Sequence, residues 1–310
     1  LEITWYNPVM SRARSELLIF TFCALLIASY FHFFYPNIAD PDSFYHIRHA
    51  ALYGTNSIFS SHFPWTTASV IGTLGSDLWY GFHLFLIPFT WSPDLVTSIR
   101  IAGVVLTTLF LLALAVFAKK SGLRLPYFWP FFALLAIPNA MYFFVMVRPH
   151  ILSLSGAILL LFFLVRRSWK GTLAVAFGIT FFHGSFFWLP FFILLPYLVV
   201  LLILHKKNFS TAFDWRLLIA IVLGTLAGIL ARPEPWAGIK LAYIQIVELV
   251  LASLRDLPLI GGEELLPLSM TVFTTCTLFL VLWVLAITYG IIKRKKLGPE
   301  VVGEETTVMI

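Results

Sequence analysis

The chain has 310 residues, of which 60% are hydrophobic and 12% are charged, and its mean hydropathy is +0.91. Soluble domains carry about 25% charged residues, so this composition excludes an ordinary soluble domain and indicates an integral membrane protein. The net charge of +6 is no sign of nucleic-acid binding, because membrane proteins gather basic residues in their cytoplasmic loops.

The first predicted transmembrane helix covers residues 16–35, a run without lysine or arginine. Its length is enough to cross a hydrocarbon core of about 30 Å. Arg12 and Arg14 precede it and no small-residue cleavage site follows, so we expect a retained anchor rather than a cleaved signal peptide. Cys23 and Cys276 lie in apolar runs and predict neither a disulfide nor a zinc framework.

Clusters of basic residues predict which loops lie on the cytoplasmic side. They are Arg12/Arg14, residues 119–124, 166–170, 205–207 and 293–296. Apolar stretches between neighbouring clusters must then come in even numbers, which predicts about eight crossings with both termini inside. The predicted fold is an all-α integral membrane protein, with a transmembrane module at 1–292 and a basic cytoplasmic tail at 293–310.

The apolar stretch at residues 78–91 breaks the even count, since it is the middle one of three between Arg14 and Lys119. It is short, aromatic and carries His83, so we predict an interfacial or re-entrant helix within a long first external loop at about 36–94. Later crossings are predicted at 126–147, 151–165, 216–231 and 266–292, with two short passes between 171 and 204 that turn at 182–185, and a further external loop at about 232–265.

The densest polar group on the external face is ADPDSFYHIRHA, residues 39–50. Two interpretations of its acids stay open. In the first, Asp40 is the N-cap of a surface helix, with Pro41 at the first helical position and Asp42 in the first turn. In the second, Asp40 and Asp42 bind Mg²⁺ or Mn²⁺, which favour oxygen ligands and bridge phosphates. His46 and Arg48 follow, and Arg48 would bind a phosphate through its bidentate fork.

This arrangement resembles the C-type glycosyltransferases. The shared order is a first helix, ADPDSFYHIRHA, HFPWTT, an interfacial helix and a long second crossing. Within that superfamily the chain is similar to oligosaccharyltransferase catalytic subunits and to bacterial predicted membrane glycosyltransferases with RP and HGG-type motifs. The resemblance extends to about residue 236. It implies a polyprenyl-phosphate-linked sugar as donor, and it implies that Asp40 or Asp42 is the catalytic or metal-binding acid.

The chain also departs from that pattern. Oligosaccharyltransferases carry a second acidic pair where this chain has VRPHILS, residues 147–153, so Arg148 and His150 stand in place of carboxylates. His150 could ligate a metal and Arg148 could bind a phosphate, or Arg148 is a helix anchor and His150 a bystander. The resemblance does not include the tryptophan-rich acceptor motif or the large C-terminal external domain, so transfer to Asn sequons is not expected.

Two later segments offer further candidates for donor binding. FFHGSFFW, residues 181–188, resembles the HGG-type stretch, and its His183 is either a donor to the lipid phosphate or a structural residue. ARPEPW, residues 231–236, offers Arg232 for the phosphate and Glu234 as an acid, or is a helix end with a snorkelling arginine. Other polar and aromatic residues of the first loop are expected to be solvated or interfacial: His62, Asp77, Trp65, Trp79 and Trp91.

The sequence therefore predicts a membrane glycosyltransferase that uses a polyprenyl-phosphate-linked sugar and an acceptor on the external, periplasmic or luminal, face. A single inverting displacement is expected, with Asp40 or Asp42 as the base or metal ligand. The expected partners are the lipid-linked sugar, membrane lipids and optional membrane subunits, without nucleic acid, in a bacterial or archaeal plasma membrane. Two other classes stay open: an inactive structural or assembly subunit, and a lipid or solute transporter.

Overall fold

A computed structural model of the chain describes residues 8–34, 36–38, 40–59, 70–136, 140–204, 213–255 and 270. Within those ranges the regular structure is helical and no strand occurs, which confirms the all-α prediction for them. The helices are α1 Pro8–Phe34, α2 Asp42–Thr55, α3 Val70–Leu74, α4 Tyr80–Leu86, α5 Leu95–Lys120, α6 Trp129–Ala136, α7 Ala140–Val145, α8 His150–Val165, α9 Trp169–Phe182, α10 Leu189–Leu204, α11 Trp215–Leu230, α12 Pro235–Tyr243 and α13 Leu249–Leu254.

Three described helices are long and apolar enough to cross a membrane. They are Arg14–Phe34 in α1, Leu95–Lys120 in α5 and Gly184–Ile203, which runs from a 3₁₀ turn into α10. The segments Trp215–Leu230 and Pro235–Glu248 make a fourth if they form one broken span, although they meet at 109°. The predicted crossing at 266–292 lies outside the described residues, apart from Met270.

Two predicted segments contain short helices. Residues 126–147 contain α6 and α7, and 137–139 between them lie outside the described part of the chain. Residues 78–91 contain α4 and a 3₁₀ turn of 7 and 5 residues, about 18 Å long and too short to cross. Helix α4 packs against α2 and α9 and is largely buried, so it lies inside the protein rather than on its surface.

Antiparallel packing brings separate basic clusters to one end of the helices. Lys119 Nζ near the end of α5 lies 3.4 Å from Glu16 Oε2 near the start of α1. Arg166, directly after α8, donates from Nη2 to the carbonyl oxygen of Lys120 at 3.0 Å. The first loop leaves α1 at the opposite end, so the basic residues and the DPDS segment are separated by the length of the helices.

Helices α9 and α11 approach each other closely because glycines line their contact. A Cβ added to Gly224 would lie 2.5 Å from the carbonyl oxygen of Leu173, and one added to Gly228 would lie 2.7 Å from that of Phe177. Small residues permit such backbone approach between helices in membranes. The contact places the end of α9, with His183, beside the end of α11, with Arg232.

Candidate functional site

The DPDS and RPH segments meet in one cluster, which we name the acid–arginine cluster and define as Asp40, Asp42, Ser43 and Arg148. Arg148 donates from Nε to Asp40 Oδ2 at 2.8 Å and from Nη2 to Asp40 Oδ1 at 2.7 Å. The same Nη2 lies 2.7 Å from Asp42 Oδ2. Bidentate arginine–carboxylate pairs are among the stronger hydrogen-bonded pairs in proteins. One guanidinium thus bridges both acids.

The two carboxylates differ in exposure. The side chain of Asp40 is 2% exposed and that of Asp42 is 55% exposed. Ser43 Oγ donates to Asp40 Oδ2 at 3.4 Å and accepts from the N–H of Val147 at 3.1 Å, which ties Asp40 to the backbone before the RPH segment. Asp40 is therefore the inner acid, and Asp42 is the one a substrate can reach.

The capping interpretation is met in part. Helix α2 begins at Asp42, and Pro41 rather than Asp40 occupies the N-cap. Asp40 still accepts a hydrogen bond from the N–H of Asp42 through Oδ1, at 3.3 Å. Asp42 lies in the first turn as predicted, where a negative charge is favourable. Helix initiation and pairing with Arg148 therefore use the same carboxylate of Asp40.

The Mg²⁺ or Mn²⁺ site expected at these acids stays a prediction, and Arg148 occupies part of the space that such an ion would use. A divalent cation shared by Asp40 and Asp42 would compete for the carboxylate oxygens that Arg148 already engages. Within the described part of the chain, the two acids also belong to no group of three side chains able to ligate one metal. The positive charge between the acids is supplied by Arg148.

A second cluster is fully buried, and we name it the histidine–aspartate cluster: His46, His49, Tyr53, Asp77 and His83. Asp77 Oδ2 lies 2.6 Å from His83 Nδ1 and accepts from the hydroxyl of Tyr53 at 3.0 Å, while Oδ1 accepts from the N–H of Trp79 at 2.8 Å. His83 Nε2 lies 2.8 Å from His46 Nδ1. Asp77, expected to be solvated, is instead 5% exposed. That expectation is wrong.

Two helices hold this cluster. His46, His49 and Tyr53 follow one another at spacings of three and four on α2, so they share one helix face. His83 comes from the short α4, and Asp77 from the loop before it. The hydrogen bond from Trp79 N–H orients the carboxylate of Asp77 toward α2. The packing of α4 under α2 therefore assembles the cluster.

Burial sets the charges of the cluster. Burial alone would raise the pKa of Asp77, but the proximity and hydrogen bond of His83 outweigh it, and the pKa lies below its ordinary value. Burial lowers the pKa of His49 to about 3 and that of His46 well below its ordinary value. When His83 is neutral and donates to Asp77 through Nδ1, its Nε2 accepts from His46 Nδ1, so one carboxylate fixes two tautomers.

His183 and His150 each lie within hydrogen-bonding distance of a neighbouring protein group. His183 Nδ1 lies 3.0 Å from Ser153 Oγ, and its ring stacks on Phe186 with centroids 3.9 Å apart. His150 Nε2 lies 3.1 Å from the carbonyl oxygen of Phe143. These contacts match the structural alternatives for both histidines, and a role toward a donor phosphate stays a prediction.

Arg232 is 5% exposed, so it does not snorkel. Its Nη1 donates to the carbonyl oxygen of Leu78 at 3.3 Å, and its Nη2 donates to those of Thr180 and, at 3.4 Å, Phe181. Thr180 and Phe181 belong to the last turn of α9, whose carbonyls have no partner within the helix. Arg232 therefore caps α9 and connects it to the first loop.

The remaining candidates lie apart from the acid–arginine cluster. Arg48 and Glu234 are exposed, and Glu234 has a left-handed backbone with φ of 50° directly before α12. Among the described residues, Arg148 is the arginine that contacts the acids, so a ring of three arginines stays a prediction. Trp91 is 83% exposed; His62 and Trp65 lie outside the described residues.

Sequence reasoning missed His49, Tyr53, Asp77 and His83 as parts of one cluster. The signal available was the spacing of His46, His49 and Tyr53, which predicts three hydrogen-bonding side chains on one face of α2. Asp77 and His83 had no comparable signal, because a single aspartate before a short aromatic stretch is compatible with an ordinary exposed loop.

An apolar cavity of about 280 Å³ opens between the first loop, the turn between α9 and α10, and α12. Leu78, Gly184 and Tyr243 are among its lining residues, and the guanidinium-bearing Arg232 lies in its wall. Leu78 directly follows Asp77, and Gly184 directly follows His183. The cavity therefore adjoins the end of the molecule that carries both polar clusters.

Comparison with protein families, curated proteins and solved structures finds no match for this chain. In the part of the chain that the structure describes, the fold and the site define an all-α protein with membrane-length apolar helices and buried polar clusters near the first loop.

Proposed function

We propose that this protein is a multi-pass membrane glycosyltransferase of about eight crossings, in a bacterial or archaeal plasma membrane. It transfers a sugar from a polyprenyl-phosphate-linked donor to an acceptor at the face opposite the basic loops. The observation that carries the proposal is the acid–arginine cluster, in which a reachable Asp42 carboxylate and a guanidinium lie side by side. Transfer from a phosphate needs both a base and a cation.

In the proposed reaction, Arg148 exchanges its contact with Asp42 for the donor phosphate and keeps its bidentate contact with Asp40. Asp42 then accepts the proton of the acceptor hydroxyl. The acceptor oxygen attacks the anomeric carbon from the face opposite the phosphate, and the carbon–oxygen bond to the phosphate breaks. The negative charge passes to the leaving phosphate, where Arg148 stabilises it.

The buried Asp40 supports this exchange because it holds the guanidinium in place while Asp42 is released. Asp40 and Arg148 share two hydrogen bonds, and Ser43 fixes the carboxylate from the other side. The proposed reaction needs no divalent cation, because Arg148 supplies the positive charge beside the leaving phosphate. The apolar cavity beside this end also favours a lipid-linked donor, since it has room for part of an isoprenoid chain.

One observation favours a second candidate, a structural or assembly subunit without catalysis. Arg148 is already engaged by both acids, and Arg232 by backbone carbonyls. Such contacts stabilise a fold without any substrate. The two candidates differ in whether the exposed acid is needed for turnover.

The test uses the purified chain in lipid nanodiscs with radiolabelled polyprenyl-phosphate sugars, and measures release of the lipid phosphate. We expect Asp42→Asn to lower the rate by at least about 100-fold, the lower range of a lost general base. Asp94→Asn is the matched control, since Asp94 is another exposed acid at a helix start, capping α5 through the N–H groups of Val96 and Thr97.

We expect the Asp94→Asn control to keep the wild-type rate, because asparagine is also a good N-cap. An Asp42→Asn protein with wild-type turnover would remove Asp42 as the base. A folded wild-type protein that releases no lipid phosphate from any donor in the series would support the structural subunit instead.

A further inference from the structure

We propose that His49, Asp77 and His83 form a binding site for one transition-metal ion of the Zn²⁺ type. The ligand atoms are a ring nitrogen of each histidine and a carboxylate oxygen of Asp77, and they all lie within 4.8 Å of one another. All three residues are buried. The site is separate from the acid–arginine cluster and does not depend on the proposed glycosyltransferase activity.

The distances in the metal-free arrangement are close to those of a coordinated one. Asp77 Oδ2 lies 2.6 Å from His83 Nδ1 and 3.8 Å from His49 Nε2. In a tetrahedral zinc site with bonds of about 2.0–2.1 Å, neighbouring ligand atoms are about 3.3 Å apart. To bind such an ion, the distance from Asp77 Oδ2 to His83 Nδ1 has to widen and the distance from Asp77 Oδ2 to His49 Nε2 has to narrow, each by less than about 1 Å.

The rings of His49 and His83 lie against each other. Their centroids are 4.4 Å apart and their planes are inclined by 27°, which makes them a stacked pair. Ring-nitrogen lone pairs lie in the ring planes. Binding one ion beside Asp77 Oδ2 therefore requires the two side chains to rotate out of the stacked arrangement.

The ligand set determines the kind of metal. Two imidazoles and one carboxylate suit Zn²⁺, Fe²⁺ or Ni²⁺, whereas Mg²⁺ favours carboxylate, carbonyl and water oxygens. A histidine binds a metal through its neutral imidazole ring. Three protein ligands leave a fourth position for water or another group.

Neighbouring hydrogen bonds already orient these ligands. Trp79 N–H binds Asp77 Oδ1 and the Tyr53 hydroxyl binds Oδ2, while His46 Nδ1 lies 2.8 Å from His83 Nε2. When the metal takes Nδ1 of His83, the ring proton moves to Nε2, which then donates to His46. Metal-binding histidines commonly make such a second hydrogen bond.

Because the ligands come from α2, from α4 and from the loop before α4, a bound ion would cross-link the first loop. The experiment uses tag-free protein from cells grown in zinc-supplemented medium, since a polyhistidine tag would bind zinc itself. Elemental analysis of the detergent-purified protein is expected to show about one zinc per chain. Growth with Co²⁺ instead should give the intense visible absorption of a four-coordinate cobalt site.

Substitutions then assign the ligands. His49→Gln and Asp77→Asn should each reduce zinc content to below about one tenth per chain. Tyr53→Phe removes one supporting hydrogen bond and should speed zinc loss to a chelator by about 10–100-fold. His150→Gln is the matched control for a histidine outside the site, and it should keep one zinc per chain.

Wild-type protein without zinc, and without the cobalt absorption, would overturn the proposal, and this result requires no variant to fold. Zinc retained in full by both His49→Gln and Asp77→Asn would overturn it as well. In either case the histidine–aspartate cluster is a hydrogen-bonded structural element alone.

Discussion

Replacing Arg148 by glutamine tests whether the acid–arginine cluster stabilises the fold. The guanidinium binds Asp40 through two hydrogen bonds and touches Asp42 through one nitrogen. Glutamine keeps a polar side chain but removes the charge. Asp40, with a side chain 2% exposed, then remains as a buried carboxylate without its cation.

The magnitude follows from the difference in burial between the two acids. Removing one partner of a buried ion pair costs about 3–5 kcal/mol of unfolding free energy. Arg148 is 32% exposed, so we expect the lower end, about 3 kcal/mol, for Arg148→Gln. Asp42→Asn should cost under about 1 kcal/mol, because its side chain is 55% exposed and solvent screens the pair.

The assay is equilibrium unfolding in mixed micelles, followed by circular dichroism, for Arg148→Gln, Asp40→Asn, the double variant of these two, and Asp42→Asn. Removing both charges leaves two neutral groups that can bond to each other, so the double variant should recover about 2 kcal/mol relative to the sum of the single losses. A loss for Arg148→Gln no larger than that for Asp42→Asn, or single losses that simply add, would show that the pair of Arg148 with Asp40 does not stabilise the fold.

Three further predictions address topology, pH and packing. The topology is tested with single cysteines in a protein without its native cysteines. A cysteine at Ser168 should react with an impermeant thiol reagent from the cytoplasmic side, and a cysteine at Asn56 should react from outside. The reverse pattern would contradict the topology. Burial, reinforced by neighbouring charges, lowers the pKa of His183 in the folded protein to about 3. The histidine of the unfolded chain takes up a proton below about pH 6.5, so the folded state loses stability as the pH falls from 6.5 toward 3. That loss is about 2 kcal/mol at pH 5, and His183→Asn should flatten the measured pH dependence. Gly228→Ala should cost about 1–3 kcal/mol by forcing α9 and α11 apart, whereas Gly178→Ala, with its nearest neighbouring atoms 4.0 Å away, should cost nothing measurable in the same unfolding assay.

The long helices are predictable because length and apolar composition act without a specific partner. The run at 16–35 corresponds to α1, and the basic cluster at 119–124 begins with the last two residues of α5. The crossing predicted at 126–147 is described only in part, by α6 and α7 on either side of residues 137–139, and it stays a prediction.

The sequence predicts which segments form the candidate site, but it does not predict which of their residues contact each other. The DPDS and RPH segments are both recognisable in the sequence. The pairing of Asp40 with Arg148 joins positions 108 apart, and a single sequence does not show that these two residues are close in space. The hydrogen bonds of Arg232 are even harder to predict from the sequence. Its hydrogen-bond acceptors are backbone carbonyls, which every residue carries, so no residue type marks them.

Helices α8 and α9 have 16 and 14 residues, which makes them about 24 and 21 Å long. The hydrocarbon core of a typical bilayer is about 30 Å thick. If both helices cross it, the bilayer has to thin around them, at a cost of a fraction of a kcal/mol per ångström of mismatch. Such thinning draws the lipid headgroups inward on the side of the first loop. In the proposed reaction, a lipid-linked phosphate would then reach the depth of Arg148 while remaining in its own layer, and the thickness of the surrounding membrane would regulate how often the two meet.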